Sequence, residues 1–138
     1  MWLLTLLAGC GVMLVIVGIW FAVVYRLNPD AETANGKARI TGTCGDTMEI
    51  GLCFKNNRVI ASTHWTDGCV YSLNCVLAAA ELAKGKTPQA ILDIDAGMIE
   101  TSVGGLSRDH FHCASLAAET LHCAVDDYMK DRVSGTSR

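Results

Sequence analysis

Charged side chains are missing from the start of the chain, because all 11 basic and 14 acidic residues of the 138-residue sequence lie from Arg26 onward. The apolar run Met1–Tyr25 is long enough for a helix that crosses a bilayer, which needs about 20 apolar residues. No Lys or Arg precedes the run, whereas a cleaved signal peptide would begin with one. The sequence therefore predicts one transmembrane helix over residues 1–25, with the membrane as a partner.

Basic residues appear only after this run, first at Arg26, Lys37 and Arg39. Positively charged residues beside a membrane span tend to stay on the cytoplasmic side. We therefore expect a single-pass membrane protein whose soluble domain faces the cytoplasm. A surplus of basic residues is missing as well, since the net charge is −3 and the pI is about 5.7. Nucleic acid is excluded as a partner, because its binding needs a basic surface.

The motif C-x-x-C is absent, although the chain has seven cysteines. Its absence excludes a thioredoxin-like redox motif and the usual zinc ribbon. An odd number of cysteines would leave one thiol over in a closed disulfide framework. The wide and irregular spacing therefore favours a reduced protein with a metal site or a reactive-thiol site.

The part of the chain that carries charge is long enough for one domain with its own core. Polar residues with a Pro and an Asn-Gly pair predict a linker over residues 26–37. We assign residues 38–131 to a single domain and residues 132–138 to a disordered tail.

Strand patterns come first in this domain. Ala38–Thr43 is a short candidate edge strand, and Asp46–Phe54 alternates as a half-buried strand should. A polar turn joins it to a further strand, Val59–Trp65, so the two are expected to form an antiparallel hairpin.

Helical patterns follow over Cys69–Lys84, where Leu73, Val76, Leu77 and Ala80 predict the buried stripe. Thr87 and Asp95 are expected to cap two short helices, and a long helix should run from about Asp109 to about Lys130. The prediction is an α+β fold, in which a small antiparallel sheet of about three strands packs against helices, preceded by the transmembrane helix.

Three short segments place potential metal ligands where strands or helices begin or end. They contain Cys44 and Asp46, then Cys69, then His112 and Cys113. Sheet ends and helix starts can meet at one edge of a small domain, and a helix N-terminus favours thiolate over thiol. These five residues are the candidate metal site.

At these residues the chain resembles a NifU/IscU-type iron–sulfur cluster assembly scaffold, over roughly residues 28–130. No single motif is specific, but their order and spacing together are. In chain order the motifs are Asn28-Pro29, Asn35-Gly36, Cys44-Gly45-Asp46, Thr66-Asp67-Gly68-Cys69, Ala80-Glu81-Leu82, Lys84-Gly85-Lys86-Thr87, Gly104-Gly105-Leu106, His112-Cys113 and Asp127-Tyr128.

The resemblance implies that Cys44, Asp46, Cys69, His112 and Cys113 form an assembly site, with the three cysteines holding a transient [2Fe-2S] cluster. It implies a cysteine desulfurase as sulfur donor, with Cys113 as the candidate sulfur acceptor, and acceptor apo-proteins that receive the cluster. It implies no enzymatic activity of its own. Besides iron, zinc is implied as an occupant of the same residues in the apo form. Asp46 is a harder ligand than thiolate, which would keep the cluster releasable.

Two segments depart from the family pattern. Val70-Tyr71 replace the Gly-Ser or similar small residues that usually follow the second cysteine. Leu106–His110 replaces the Leu-Pro-Pro-Val-Lys segment of members that are served by an Hsp70-type chaperone, which puts that partner in doubt. The membrane helix is not a usual family feature either.

Two other functions compete with the scaffold. A zinc-bound sulfur acceptor would stimulate a desulfurase without carrying a cluster, through the same residues. A thiol enzyme would pair a Cys with a His as nucleophile and base, but His112 and Cys113 are neighbours on a helix and are not expected to face each other. The sequence leaves a homodimer open.

The remaining cysteines and histidines have simpler interpretations. Free cysteine packs as a small hydrophobic residue, which is the role expected for Cys53, Cys75 and Cys123. Three further histidines are expected to be surface or half-buried polar residues rather than ligands, and they are His64, His110 and His122.

Overall fold

The computed structural model of the chain describes residues 1–27 and 34–135, apart from the side chains of residues 3–8 and 25–27. The chain divides into two compact units, Met1–Asp30 and Ala31–Arg138. The motif Asn28-Pro29, much of the predicted linker and the last three residues of the predicted tail lie outside the described residues.

The first unit contains one helix, α1, which spans Trp2–Leu27. Among the residues that the structure describes, no helix is long and apolar enough to cross a membrane. The predicted single-pass localisation facing the cytoplasm is therefore wrong, and this finding does not support the predicted transmembrane helix over residues 1–25 or the membrane as a partner.

The second unit begins with three antiparallel strands, β1 (Gly36–Thr41), β2 (Thr47–Lys55) and β3 (Arg58–Thr66), in the order β1-β2-β3. The hairpin turn between β2 and β3 places Asn56 and Asn57 at φ 52° and 62°. Asn tolerates this left-handed conformation better than most residues, and two such residues form the turn that suits the twist of a hairpin.

The helices follow in chain order: α2 (Val70–Ala83), α3 (Pro88–Leu92), α4 (Ala96–Ser102), a 3₁₀ turn (Arg108–His110) and α5 (Phe111–Gly135). The predicted caps are present, because Thr87 Oγ1 accepts from the Ala90 amide and Asp95 Oδ1 accepts from the Met98 amide. Helix α5 continues to Gly135, beyond its predicted end near Lys130.

The core lies between one face of the sheet and the helices. Met48, Ile50 and Leu52 alternate along β2 and are fully buried. Helix α2 packs on β3, while α5 packs on β1 and β2 and against α2. The predicted α+β class, with a three-stranded antiparallel sheet packed against helices, is confirmed.

Strand β1 approaches α5 so closely that a side chain at Gly36 would not fit. A Cβ atom there would lie 2.5 Å from the Ala124 carbonyl oxygen and 2.8 Å from Tyr128 Cβ. Beside it, the Asn35 side chain exchanges two hydrogen bonds with the backbone of Phe54, of 2.7 and 2.9 Å. The Asn-Gly pair therefore fixes the edge of the sheet to the last helix.

Candidate metal centre

The turn between β1 and β2 carries the first two candidate ligands, Cys44 and Asp46. The Gly42 amide donates to the Asp46 carbonyl over 2.9 Å, and the Gly45 amide donates to the Gly42 carbonyl over 3.0 Å. Gly45 has φ +91°, a conformation that glycine adopts without strain. The turn leaves Cys44 exposed at its tip and directs Asp46 into a half-buried position.

The segment after β3 is fastened to this turn by hydrogen bonds to Thr47. Asp67 Oδ1 accepts from the Thr47 amide over 2.6 Å, and Thr66 Oγ1 donates to the Thr47 carbonyl over 2.7 Å. The Gly68 amide in turn donates to Thr66 Oγ1 over 3.1 Å. These bonds hold Cys69, the next residue, at the same edge of the sheet as Asp46.

Asp46, Cys69 and Cys113 come together at this edge. One ligand atom from each residue lies within 4.8 Å of the other two. In a tetrahedral zinc site with bonds of about 2.3 Å to sulfur, neighbouring sulfurs lie about 3.8 Å apart. Two thiols and a carboxylate at this separation form a donor set that fits iron or zinc with only small adjustments.

The other two candidate ligands lie beside this group without belonging to it. Cys44 is exposed, and its Sγ is 3.4 Å from the point where a Cβ on Gly42 would stand. His112 is also exposed, and its Nε2 lies 3.5 Å from Cys113 Sγ. The two neighbours on the helix therefore do face each other, contrary to the expectation from helical spacing.

The Cys69 thiol is favoured as a thiolate by the start of α2, where Cys69 is the N-cap residue. The Ser72 amide lowers the pKa of Cys69 from its usual 9.0, and the Ser72 hydroxyl and the Tyr71 amide add to this, against a smaller opposing effect of burial and of the Asp46 charge. The expected effect of a helix N-terminus holds here, and Cys69 is exposed as well.

The Cys113 thiol behaves in the opposite way, although it lies in the first turn of α5. Its side chain is 1% exposed, and burial raises its pKa above the usual value. The Ser72 hydroxyl, 3.4 Å from the sulfur, opposes the rise, while negative charge on Cys69, Asp46 and Cys44 adds to it. Desolvation therefore outweighs the helix terminus at this position.

Ser72 is the site residue that sequence reasoning missed. It is fully buried, and its hydroxyl donates to Asp46 Oδ2. The same oxygen lies 3.4 Å from Cys113 Sγ and 3.7 Å from Cys69 Sγ. Its position three residues after Cys69, one helical turn further on, was the available signal.

The cysteines outside the site differ in their surroundings. Cys75 is buried as predicted, and burial raises its pKa to about 11. Cys53 is half-buried on β2. Cys123 is exposed, so the prediction that it packs in the core is wrong.

The three further histidines are surface or half-buried residues, as predicted. His122 Nε2 bonds to the Ile94 carbonyl at 2.9 Å. The His110 ring lies 3.9 Å from the Tyr71 ring, measured between centroids, and its Nδ1 bonds to Ser107 Oγ at 2.8 Å. The two segments that depart from the family pattern therefore contact each other next to the site.

Residues 28–134 match the family model described as NifU-like N terminal domain. The chain is 35% identical over 100 residues to iron-sulfur cluster assembly scaffold protein IscU 1 of Archaeoglobus fulgidus, covering 72% of this chain and 65% of the relative. It is 34% identical over 101 residues to the IscU scaffold protein of Aquifex aeolicus, covering 71% and 64%. A third relative, iron-sulfur cluster assembly protein 1 of Arabidopsis thaliana, is 29% identical over 92 residues, covering 65% and 54%.

The match spans just under two thirds of the length of the first two relatives. Both relatives are named as iron-sulfur cluster assembly scaffold proteins. The candidate metal centre lies wholly inside the matched residues.

Proposed function

The chain belongs to the NifU-like N-terminal domain family, as its ordered motifs predict, and from this premise we propose that it is a scaffold for the assembly of an iron–sulfur cluster. We propose a [2Fe-2S] cluster that is built on the protein and passed to an acceptor. The observation that carries the proposal is the convergence of Asp46, Cys69 and Cys113 on one edge of the domain.

The cluster is cargo, so its ligands must both hold and release it. The cysteines Cys44, Cys69 and Cys113 are proposed to bind it, because thiolates are the usual cluster ligands. Asp46 and His112 complete the candidate set, since His can replace Cys in iron–sulfur sites and a carboxylate holds iron less firmly beside sulfide. Cys44 and His112 are exposed, so both are accessible to a cluster that enters or leaves the site.

Sulfur is proposed to arrive from a cysteine desulfurase as a persulfide. The thiolate of Cys113 attacks the outer sulfur, a new S–S bond forms, and the donor cysteine leaves as a thiolate. Because Cys113 is 1% exposed, this step requires a local opening of the site, whereas the exposed Cys69 competes for the same sulfur.

Mass spectrometry after incubation with desulfurase and cysteine tests the acceptor. The extra sulfur should remain in Cys69→Ser and be lost in Cys113→Ser. If the Cys113→Ser variant retained the extra sulfur, another thiol would be the acceptor. Acceptor apo-proteins are the proposed recipients, and an Hsp70-type chaperone stays in doubt because Leu106–His110 departs from the family segment.

Anaerobic reconstitution with iron, cysteine and desulfurase tests the function itself. The protein should develop visible cluster absorbance, with iron and acid-labile sulfide in equal amounts. Cys69→Ser should lose this absorbance, and Cys123→Ser, an exposed cysteine outside the site, should keep it. A colourless product that contains only zinc would contradict the scaffold and support the zinc-bound sulfur acceptor instead.

A further inference from the structure

The hydroxyl group of Ser72 lies at the centre of the candidate metal centre. It donates to Asp46 Oδ2 and lies 3.4 Å from Cys113 Sγ and 3.7 Å from Cys69 Sγ. It therefore touches every member of the group that converges there. Ser72 is fully buried, so no solvent molecule substitutes easily for these contacts.

A serine hydroxyl has one hydrogen to donate, and both the Asp46 carboxylate and the Cys113 sulfur can accept it. An ionised carboxylate is the stronger acceptor, so Asp46 takes the hydrogen while it is present. Among the described residues, the hydrogen bond to Asp46 uses Oδ2, so the second carboxylate oxygen stays available for a metal ion.

We propose that Ser72 is a positioning residue that orients the Asp46 carboxylate toward a metal held by Cys69 and Cys113, and that donates to Cys113 when Asp46 is absent. The inference rests on the proposed function in that it concerns the same ligands. Groups that orient a ligand in this way typically contribute 10- to 100-fold to metal affinity. Ser72 is not itself a ligand in this arrangement.

Titration of the full chain with Co²⁺, read from its thiolate charge-transfer absorbance, tests the proposal. Ser72→Ala should weaken Co²⁺ binding by about 10- to 100-fold, because the Asp46 carboxylate loses its fixed orientation. Ser115→Ala, an exposed serine on α5, is the control and should bind as the unchanged chain does. Ala has a higher helix propensity than Ser and fits within its volume, so the fold should persist, which thermal unfolding verifies.

A double-mutant cycle with Asp46→Ala separates positioning from a general structural role. In the Asp46→Ala background, Ser72→Ala should cause little further loss of affinity. When Asp46 is absent, the Ser72 hydroxyl should donate to the Cys113 sulfur. Ser72→Ala should therefore move the charge-transfer band to longer wavelength in the Asp46→Ala background but not in the unchanged chain. A merely structural serine would give equal losses and equal spectra in both backgrounds.

Equal effects in both backgrounds, no effect of Ser72→Ala, or no Co²⁺ binding by the unchanged chain would each overturn the inference. The titration uses neither sulfide nor desulfurase. If the Co²⁺ titrations gave the expected results but cluster reconstitution failed, only the proposed function would be contradicted. If reconstitution succeeded but the Co²⁺ titrations did not give the expected results, only the positioning role of Ser72 would be contradicted.

Discussion

At the scale of single residues, the site combines side chains of different affinity for iron. Cys69 and Cys113 are soft thiol donors, and Asp46 is a hard carboxylate within 4.8 Å of both. A carboxylate exchanges more readily than a thiolate beside sulfide. We therefore regard Asp46 as the position at which an acceptor ligand can enter.

Replacement of Asp46 should slow the transfer of the cluster to an acceptor. Asp46→Cys would supply a firmer ligand, and Asp46→Ala would remove the exchangeable one. We expect a decrease of about tenfold in the transfer rate, which corresponds to ~1.4 kcal/mol in the barrier. The decay of the cluster spectrum on mixing with an apo-acceptor measures this rate, and unchanged kinetics in both variants would rule out the role of Asp46.

The two site thiols should react differently with an alkylating reagent. The thiolate is the reactive form, and it persists to lower pH when the pKa falls. Cys69 is exposed with a lowered pKa, so its labelling should reach half its maximal rate below pH 9.0. Cys113 is buried with a raised pKa, so at pH 7 it should react more slowly by more than about tenfold.

Peptide mass spectrometry of the metal-free protein measures both labelling rates, with the exposed Cys123 as internal reference. Faster labelling of Cys113 than of Cys69 would contradict the assigned burial. The sequence predicted a thiolate at both positions from their helix starts. It could not predict burial, because burial depends on residues that are distant along the chain.

At the scale of secondary-structure elements, the site depends on the closeness of the β3–α2 connection to the β1–β2 turn. A Cβ atom on Gly68 would overlap Asp46 Oδ2 and lie 2.7 Å from Ser72 Cβ. Only a residue without a side chain permits both neighbours to stand where they do. The Thr66-Asp67-Gly68-Cys69 motif is therefore a packing requirement as well as a source of a ligand.

Gly68→Ala should lower the free energy of unfolding by about 1–3 kcal/mol, as overpacking usually does. It should also weaken zinc binding, because Asp46 and Ser72 must move apart. Gly135→Ala, where a Cβ meets no atom within 4 Å, is the control and should stay within about 0.5 kcal/mol of the original stability. Denaturant unfolding measures the stability, and equal values for the two variants would refute the overlap.

Helix α2 shows where the sequence pattern was insufficient. Its existence and limits were predictable, and Val76 and Ala80 of the predicted apolar stripe are fully buried, but Leu73 and Leu77 are 45% and 39% exposed. The buried face instead includes Ser72 and Cys75. Hydrophobicity favoured the two leucines, whereas the rotation of the helix is set by its packing against β3 and α5. Ser72 lies on the buried face of the helix, where hydrophobicity alone does not predict a serine.

At the scale of the whole molecule, the candidate site and the buried core of the described residues both belong to the second unit, Ala31–Arg138. The strand and helix order of this unit was predictable, because alternation on β2 and the caps at Thr87 and Asp95 are local signals. Local patterns predict that Asp46, Cys69 and Cys113 lie at the ends of strands and helices. They do not predict that the three residues meet at one edge, because that depends on how the elements pack.

A chain that begins at Ala31 should keep its fold and its zinc affinity. All candidate ligands and the core from Met48 to Tyr128 remain present in it. Thermal unfolding and zinc titration against the full chain, with a chelator of known affinity, measure the two properties. A large loss of either would show that the first unit contributes to the second.

The contact between Tyr71 and His110 has a consequence for the design of variants. These residues belong to the two segments that depart from the family pattern, and their rings lie 3.9 Å apart. A family-like residue introduced at only one of them would leave the other ring without the ring that it contacts. The two segments should therefore be exchanged together for those of a relative. An exchange of one segment alone would also remove the contact between the Tyr71 and His110 rings, so its effect could not be assigned to that segment.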